Sequence, residues 1–279
     1  MRAVLGGEKA HRPPEEDAEY NAHVAAVGWP IEPDERLSIG GERFLFTHTN
    51  TTSSLAVDEK EFFVYKRPSL IQAYRKLGKE GGYKTVVELG ILNGGSTAFL
   101  FQLLEPEILV AFDVVHTPVP ALERFVDEHE LQGRLRPYYG VDQADTGQLL
   151  RLVDEATGGK PLDLVVDDAS HSYAPTRASF NALFPRLRDG GVFVIEDWAW
   201  AHVPGEHFQR HGGPFPGEPA LTNLIVEIML LQGTRPDLVP QVEVRRNMVQ
   251  IVRGRGDLPV PMDMATLILN RGNPFHPSV

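Results

Sequence analysis

Two apolar runs in the middle of the chain each end in side chains that could carry out chemistry. The runs cover residues 162–167 and 191–195. The side chains that follow them are three carboxylates and one imidazole, namely Asp168, His171, Glu196 and Asp197. Carboxylates bind hard divalent cations, and imidazole accepts a proton near neutral pH. Together, these groups could hold a dication beside a general base.

The two runs are predicted to be neighbouring parallel strands. Between them, apolar side chains recur at three- and four-residue spacing from Phe180 onward, which predicts a helix over Pro175–Leu187. A strand, a helix and a strand in close succession form a parallel crossover unit, so both strands end at the same edge of the sheet. Open α/β sheets bind ligands at that edge. We therefore expect the four side chains to meet in one crevice.

Each of these residues also has a purely structural interpretation. Asp167 and Asp168 could cap the next segment, and His171 could be a solvated loop residue. Glu196 and Asp197 are harder to explain in this way, because carboxylates after a buried strand are costly unless they are paired or bind a metal. Asp167 is predicted to point away from Asp168, because side chains alternate along a strand. The combined spacing favours a functional cluster.

Composition excludes several classes of protein. The 279 residues, 42% of them hydrophobic, can bury a substantial core. The chain has no cysteine, which excludes disulfides, thiolate metal sites and cysteine nucleophiles. A net charge of −11 argues against a nucleic-acid or membrane partner. Without a membrane-spanning apolar run or a signal-peptide core, the protein is predicted to be cytoplasmic.

The ends of the chain are predicted to lie outside the main domain. Residues 1–60 lack a sustained period and are interpreted as an arm, in which Phe44–Phe46 could form a short strand. The polar tract 47–54 could cover a ligand or a neighbouring subunit, although a poorly ordered leader would look similar. The main domain is assigned to residues 61–256 and a surface tail to residues 257–279.

Apolar spacing predicts further elements between these ends. A helix is expected within Glu61–Leu77, beginning or interrupted at Pro68. Other helices and strands alternate along the chain, with strands at 85–89, 108–112 and 135–139 and helices at 121–131, 145–155 and 221–231. Residues 202–219 are too long for an ordinary connection and are interpreted as a substrate-facing loop. Residues 242–252 predict two strands that reverse near Asn247, at least one of them antiparallel to the rest.

A glycine-rich turn follows the strand at residues 85–89. It begins at Gly90 and leads through Gly94 and Gly95 into a helix that starts near Ser96. Glycines at such a turn allow close approach of a ligand, and free amides at a helix start attract an anion. The order of the glycines, with Glu88 before the first of them, differs from the dinucleotide-binding pattern.

An acidic residue closes the next strand. Asp113 lies 25 positions beyond Glu88 (113 − 88), close to where an acidic group meets a ribose hydroxyl in nucleotide-binding sheets. The overall prediction is an α/β fold with a doubly wound, Rossmann-like sheet of seven mostly parallel strands, an antiparallel C-terminal hairpin and an N-terminal arm.

This arrangement resembles the class I S-adenosylmethionine-dependent methyltransferases over about Val64–Val252. The resemblance implies that the glycine turn borders the methionine part of the cofactor, that Asp113 takes the ribose hydroxyls, and that the loop after residue 139 lies near the adenine. The cofactor-binding residues implied are Glu88, Gly90, Gly94, Gly95, Ser96, Asp113, Asp142, Gln143 and Asp167.

A narrower resemblance concerns the carboxylates. Glu196 and Asp197 lie 28 and 29 positions after Asp168 (196 − 168 and 197 − 168), which is similar to the magnesium-ligand spacing of the catechol O-methyltransferase type. That type has a lysine where this chain has His171. Together with the glycine turn, these segments resemble the metal-dependent macrocin- and mycinamicin-type sugar O-methyltransferases of antibiotic biosynthesis.

The second resemblance implies a mechanism. Mg²⁺ held by Asp168, Glu196 and Asp197 would lower the pKa of a sugar hydroxyl, and His171 beside Asp168 would remove its proton. The methyl donor needs no activation, so the protein aligns and desolvates the reactants. Trp198 and Trp200 could stack on the sugar or cover the sulfonium, or they could be packing residues.

Other functions remain open at this point. The same metal geometry would suit methylation of a small catechol or phenol. A non-catalytic cofactor-binding accessory protein is a second alternative, and a hydrolytic metal site is a third, although it would leave the glycine turn and Asp113 unexplained. The resemblance also implies a homo-oligomer, a dimer or a tetramer, and a glycosylated small molecule as the substrate.

Overall fold

A computed structural model of the chain describes residues 34–47, 61–203 and 219–275. Three parts of the sequence predictions lie outside these residues. They are most of the arm, the polar tract beyond residue 47, and residues 204–218 of the predicted substrate-facing loop.

A small sheet of three strands precedes the main domain in the described residues. It consists of β1 (Glu35–Ile39), β2 (Glu42–Phe46) and β3 (Glu61–Val64). β1 pairs with β2 in antiparallel orientation, and β2 pairs with β3 in parallel orientation. The strand predicted at Phe44–Phe46 is confirmed. Of the two forms predicted for the helix within Glu61–Leu77, the structure has the one that begins at Pro68. Residues 61–64 form a strand instead, with burial that alternates between neighbouring residues.

Aromatic packing holds this sheet against the main domain. Phe44, Phe46 and Phe62 are almost completely buried. The rings of Phe44 and Phe46 meet Phe99 at centroid distances of 5.7 and 5.1 Å, both edge-on. Phe62 packs edge-on against Phe125 at 5.7 Å. Residues of the predicted arm therefore contribute to the hydrophobic core.

The central sheet contains seven strands in the described part of the chain. They are β4 (Thr85–Leu89), β5 (Ile108–Asp113), β6 (Leu135–Tyr139), β7 (Leu162–Asp167), β8 (Leu187–Glu196), β9 (Gln241–Arg245) and β10 (Met248–Val252). Their spatial order is β6-β5-β4-β7-β8-β10-β9. β10 is antiparallel to both of its neighbours, and the other pairs are parallel. The predicted fold class, including the hairpin near Asn247, is confirmed.

Helices cover both faces of this sheet. They are α1 (Pro68–Glu80), α2 (Gly95–Leu104), α3 (Pro120–Glu128), α4 (Thr146–Thr157), α5 (Tyr173–Leu183), α6 (Thr222–Thr234) and the short α7 (Met264–Leu267). Proline stands in the first turn of α1 and of α3, where its missing amide costs no hydrogen bond. Two buried apolar clusters lie on opposite sides of the sheet, as a doubly wound fold requires.

Several element boundaries differ from the sequence predictions, most of all around α5 and β8. α5 ends at Leu183 and a 3₁₀ turn follows over Phe184–Arg186, so β8 begins at Leu187, earlier than residue 191. Pro185 lies in this turn and cannot donate the hydrogen bond that would continue the helix. Residues assigned to the surface tail also reach the core, where Met262, Met264 and Ile268 are buried.

The strand order reverses between β4 and β7. β4 pairs with β5 on one side and with β7 on the other, which creates a crevice at the carboxyl ends of these strands. The glycine turn after β4 and the acidic loop after β7 both open into it. In the described residues, no helix combines the length and hydropathy needed to cross a membrane.

Candidate active site

The acidic cluster is built by the ends of β7 and β8. The amide of Asp168 donates to the carbonyl of Leu89 in β4 (2.9 Å), and the amide of Asp197 donates to the carbonyl of Asn247 (3.0 Å). His171 and Asp197 have φ values of +51° and +52°, in the left-handed region that is costly for residues other than glycine. Such strained backbone is typical of functional sites, where the surrounding structure imposes it.

Three of the four predicted side chains are close enough to share an ion. One ligand atom each from Asp168, His171 and Asp197 lies within 4.8 Å of the others. His171 Nε2 is 3.8 Å from Asp168 Oδ1. All three residues are partly buried, so a ligand can still reach them. Their oxygen and nitrogen donors suit a hard divalent cation, and the residues therefore fit the metal that the sequence predicts.

Glu196 lies beside this group, but its carboxylate is engaged by two other side chains. Lys66 Nζ donates to both of its oxygens at 2.6 and 2.7 Å, and the hydroxyl of Tyr74 donates to Oε1. Lys66 Nζ also donates to Asp168 Oδ2 at 2.6 Å. Lys66, Tyr74 and Glu196 are buried. In this structure, Glu196 is thus the anchor of a buried ion pair.

The ammonium of Lys66 stays charged in this environment. Burial by itself would lower the pKa of Lys66, but the carboxylates of Asp168 and Glu196 raise it well above its ordinary value. Sequence reasoning missed both Lys66 and Tyr74. The partners of Lys66 lie more than 100 positions away in the sequence, so no local pattern indicates that this lysine belongs to the site.

The glycine turn is a closely packed cradle. Gly90 has a φ of +97°, and a Cβ atom there would lie 2.2 Å from the carbonyl oxygen of Asp168. Gly94 adopts the left-handed conformation directly before α2. A Cβ atom on Gly95 would lie 2.0 Å from the carbonyl oxygen of Phe63 in β3. The turn thus contacts the loop that begins at Asp168 and also contacts the small sheet. Its shape depends on glycine.

The residues around this turn fit a cationic amine and a carboxylate. Glu88, the fourth residue of β4, is buried, and its carboxylate oxygens have no hydrogen-bond partner among the described residues. The first turn of α2, which contains Ser96, carries no acidic side chain. A buried carboxylate beside the free amides of a helix start matches the two charges of an amino acid. The site therefore fits the methionine part of the predicted cofactor.

Glu88→Gln is expected to change the pH dependence of stability. Burial raises the pKa of Glu88 to about 7, and the Lys66 ammonium opposes part of this rise. Because the folded-state pKa lies above the ordinary value of 4.5, this group removes stability as pH rises from about 4.5 to about 7. The free energy of unfolding of E88Q, relative to the original chain, should therefore increase by roughly 2 kcal/mol between pH 5 and pH 7.5.

Urea unfolding at a series of pH values measures this difference. The exposed Glu105→Gln serves as the matched control. If Glu88 also binds the amino group of the cofactor, E88Q should bind S-adenosylhomocysteine more weakly while becoming relatively more stable. An unfolding difference that does not vary with pH would contradict the assignment of a raised pKa.

The other predicted cofactor residues make local contacts. Asp113 Oδ2 accepts from the amides of Ile91 and Leu92, both at 2.9 Å, and thereby holds the glycine turn against β5. The Oδ1 atom of Asp142 accepts from the amide of Ala144 at 2.8 Å. Asp113 ends β5 and Asp142 follows β6, the next strand of the sheet. Their contacts to ribose and adenine stay predictions.

Gln143 and Asp167 belong to a buried network behind the acidic loop. Gln143 Nε2 donates to Asp167 Oδ2 at 3.0 Å, and its Oε1 accepts from the amide of Ser170 at 2.9 Å. Ser179 Oγ donates to the same Asp167 oxygen at 2.6 Å. Burial raises the pKa of Asp167 to about 6, against the opposing effects of Ser179, His171 and Gln143. This network fixes the loop that carries Asp168 and His171.

The two tryptophans have different surroundings. Trp198 Nε1 donates to the carbonyl of Arg245 at 2.8 Å, which ties this ring to the edge of the sheet. Trp200 lies against His171, with ring centroids 4.3 Å apart and planes inclined by 42°. Both rings line a cavity whose other walls include Ser172, Ala220 and Leu221. The cavity adjoins the acidic cluster and has the aromatic lining that a sugar or aromatic ring prefers.

Comparisons with known proteins find similarities to methyltransferases. Residues 87–198 match the family model of a methyltransferase domain. The chain is 37% identical over 113 residues to demethylmacrocin O-methyltransferase from Streptomyces fradiae, which covers 40% of this chain and 27% of the relative. It is 47% identical over 72 residues to mycinamicin VI 2''-O-methyltransferase from Micromonospora griseorubida, which covers 26% of this chain and 17% of the relative. The matched part thus spans about a quarter or less of each relative's length.

A solved structure is also similar. The MycE methyltransferase of the mycinamycin biosynthetic pathway, in complex with Mg, SAH and mycinamycin VI, superimposes with a TM-score of 0.50 at 25% identity. The match covers 70% of this chain and 52% of that one. Residues 87–198 therefore match the model of a methyltransferase domain, and the chain is similar to sugar O-methyltransferases of antibiotic biosynthesis over part of their length.

Proposed function

We propose that the chain is an S-adenosylmethionine- and Mg²⁺-dependent O-methyltransferase that acts on a sugar hydroxyl of a glycosylated secondary metabolite. The observation that carries the proposal is the grouping of Asp168, His171 and Asp197 within 4.8 Å, next to a glycine turn that fits the methyl donor. The names of the relatives, and the Mg, SAH and mycinamycin VI in the MycE complex, support this choice of cofactor, metal and substrate class.

Asp168 and Asp197 would hold the cation. Glu196, the third ligand predicted from the sequence, would join them only if its contacts with Lys66 and Tyr74 were broken. When bound, a hard dication lowers the pKa of a hydroxyl that it coordinates and fixes its direction. The protein's own contribution is to bring two carboxylates from separate strand ends to one point and to hold them there through backbone hydrogen bonds.

His171 would remove the proton of the hydroxyl. Its imidazole lies 3.8 Å from Asp168, at the edge of the cavity, and Trp200 packs against the ring and limits its orientation. Imidazole is the side chain that most often serves as a general base in enzymes. Glu88 and the start of α2 would bind the methionine end of the donor, and Asp113 would bind its ribose.

The cavity beside Trp198 and Trp200 would receive the sugar. Residues 204–218, the central part of the loop that the sequence predicts to face the substrate, lie outside the described residues. The homo-oligomeric state, which follows from the family resemblance, belongs to the same proposal. The arm at residues 1–60 and a cytoplasmic location, which follow from the sequence pattern, also belong to it.

Methyl transfer from a labelled donor to a panel of glycosides tests the proposal. Glycosides with adjacent free sugar hydroxyls should accept label, EDTA should reduce the rate by at least about 100-fold, and added Mg²⁺ should restore it. Simple catechols in the same panel test the alternative acceptor class. Full activity in EDTA would exclude the metal, and binding of the donor without transfer to any acceptor would favour an accessory protein.

A further inference from the structure

Lys66 lies at the centre of the acidic cluster. Its ammonium is 2.6 Å from Asp168 Oδ2 and 2.6 and 2.7 Å from the two oxygens of Glu196. Only 2% of the lysine side chain is exposed, and the same holds for Glu196. The three donors of an ammonium group are thus matched by three acceptor oxygens, so Lys66 has a complete set of partners without water.

The position of Lys66 is set by the small sheet. Lys66 lies two residues after β3, and its amide donates to the carbonyl of Val64 at 2.8 Å. β3 in turn contacts the glycine turn, because the carbonyl oxygen of Phe63 lies where a Cβ atom of Gly95 would be. The packing of β3 therefore fixes the position of the Lys66 ammonium, whereas a lysine on a flexible surface segment would be free to move.

This placement conflicts with full coordination of a divalent cation. Asp168 Oδ2 accepts a hydrogen bond from Lys66, and Asp168 also belongs to the candidate metal group with His171 and Asp197. A dication at Asp168 and Asp197 would lie a few ångströms from a permanent positive charge, and the two would repel each other. In Glu196, Oε1 accepts from both Lys66 and Tyr74 and Oε2 accepts from Lys66, so a metal at this carboxylate would compete with the ammonium for the same oxygens.

We infer that Lys66 is an internal cation that competes with the divalent metal for Asp168 and keeps Glu196 out of its coordination shell. The inference rests on the metal site of the proposed function. Its consequence is a site of two carboxylates that binds Mg²⁺ weakly in the absence of other ligands. Acceptor hydroxyls then complete the coordination shell, so metal and acceptor bind with positive coupling.

Calorimetric titration of the full chain with Mg²⁺, without donor or acceptor, tests the inference at constant pH and salt. Lys66→Met should bind Mg²⁺ at least tenfold more tightly than the original chain, because Asp168 loses its competitor and Glu196 becomes available. Lys66→Arg keeps the charge and should stay within threefold of the original affinity. The double variant K66M/E196Q should lose most of the gain of K66M.

The outcomes separate this inference from the proposed function. Equal or weaker Mg²⁺ binding by K66M overturns the role of Lys66 while the metal site stands. If neither the original chain nor K66M binds Mg²⁺, both the role of Lys66 and the metal site of the proposed function are overturned. Binding by K66M alone supports the inference in its strongest form, in which the lysine excludes the metal. If circular dichroism shows K66M to be unfolded, Lys66→Gln takes its place under the same criteria.

Discussion

Replacing His171 with alanine is expected to lower the rate of methyl transfer by roughly 10²- to 10⁴-fold, the contribution typical of a general base. The imidazole lies beside Asp168 and faces the cavity, so the variant leaves the acceptor hydroxyl without a proton acceptor. Affinities for Mg²⁺ and for S-adenosylhomocysteine should change less than about threefold. Single-turnover rates with saturating donor, together with calorimetric binding constants, measure both effects.

The matched control is His129→Ala, which removes an imidazole that contacts Glu42 in the small sheet. Its transfer rate should be that of the original chain. A loss of Mg²⁺ binding in H171A would contradict the role as base and would assign the imidazole to the metal, a role that its distance to Asp168 and Asp197 also permits. The pH–rate profile gives a second criterion, because a base that acts in its neutral form makes the rate fall at acidic pH.

Asp197→Asn is expected to reduce metal-dependent transfer by about 10³-fold at moderate Mg²⁺ concentration. The change removes one of the two carboxylates in the candidate metal group, and a neutral amide is a weaker ligand for a hard cation. A large excess of Mg²⁺ should partly restore the rate of D197N, whereas it would not restore a variant that fails to fold. The Mg²⁺ dependence of the rate and direct Mg²⁺ titration measure it.

Asp189→Asn is the control for this change, since it removes an exposed carboxylate that pairs with Arg255. Exposed ion pairs contribute at most about 1 kcal/mol, so activity and Mg²⁺ dependence should be unaffected. Wild-type Mg²⁺ affinity in D197N would remove Asp197 from the metal site and with it the geometric basis of the proposed function.

Much of the fold could be predicted from the sequence because its strands are strongly apolar and alternate with helices. The strand at Leu162–Asp167 and that at Leu135–Tyr139 have the boundaries that the sequence indicates. The meeting of Asp168 and Asp197 follows from topology alone, since neighbouring parallel strands end at one edge. Strand period and crossover geometry thus suffice to predict which residues share the crevice.

Contacts made by side chains over long distances could not be predicted. The pairing of Lys66 with Glu196 depends on how β3 packs against α2, and the sequence carries no signal for that packing. Gln143 is expected near the adenine, and no sequence pattern indicates that both ends of its amide also bind within the protein, to Asp167 and to Ser170. Periodicity shows which face of an element is buried but does not identify the partner of a buried polar group.

The left-handed backbone at His171 and Asp197 has a consequence for protein engineering. Non-glycine residues in this conformation each cost on the order of 1–3 kcal/mol, so the loops that carry the reactive groups lower the stability of the domain. Directed evolution toward heat resistance alone would favour glycine or asparagine at these two positions and would inactivate the catalyst. Selection for thermostability should therefore hold both codons fixed and vary the surface instead.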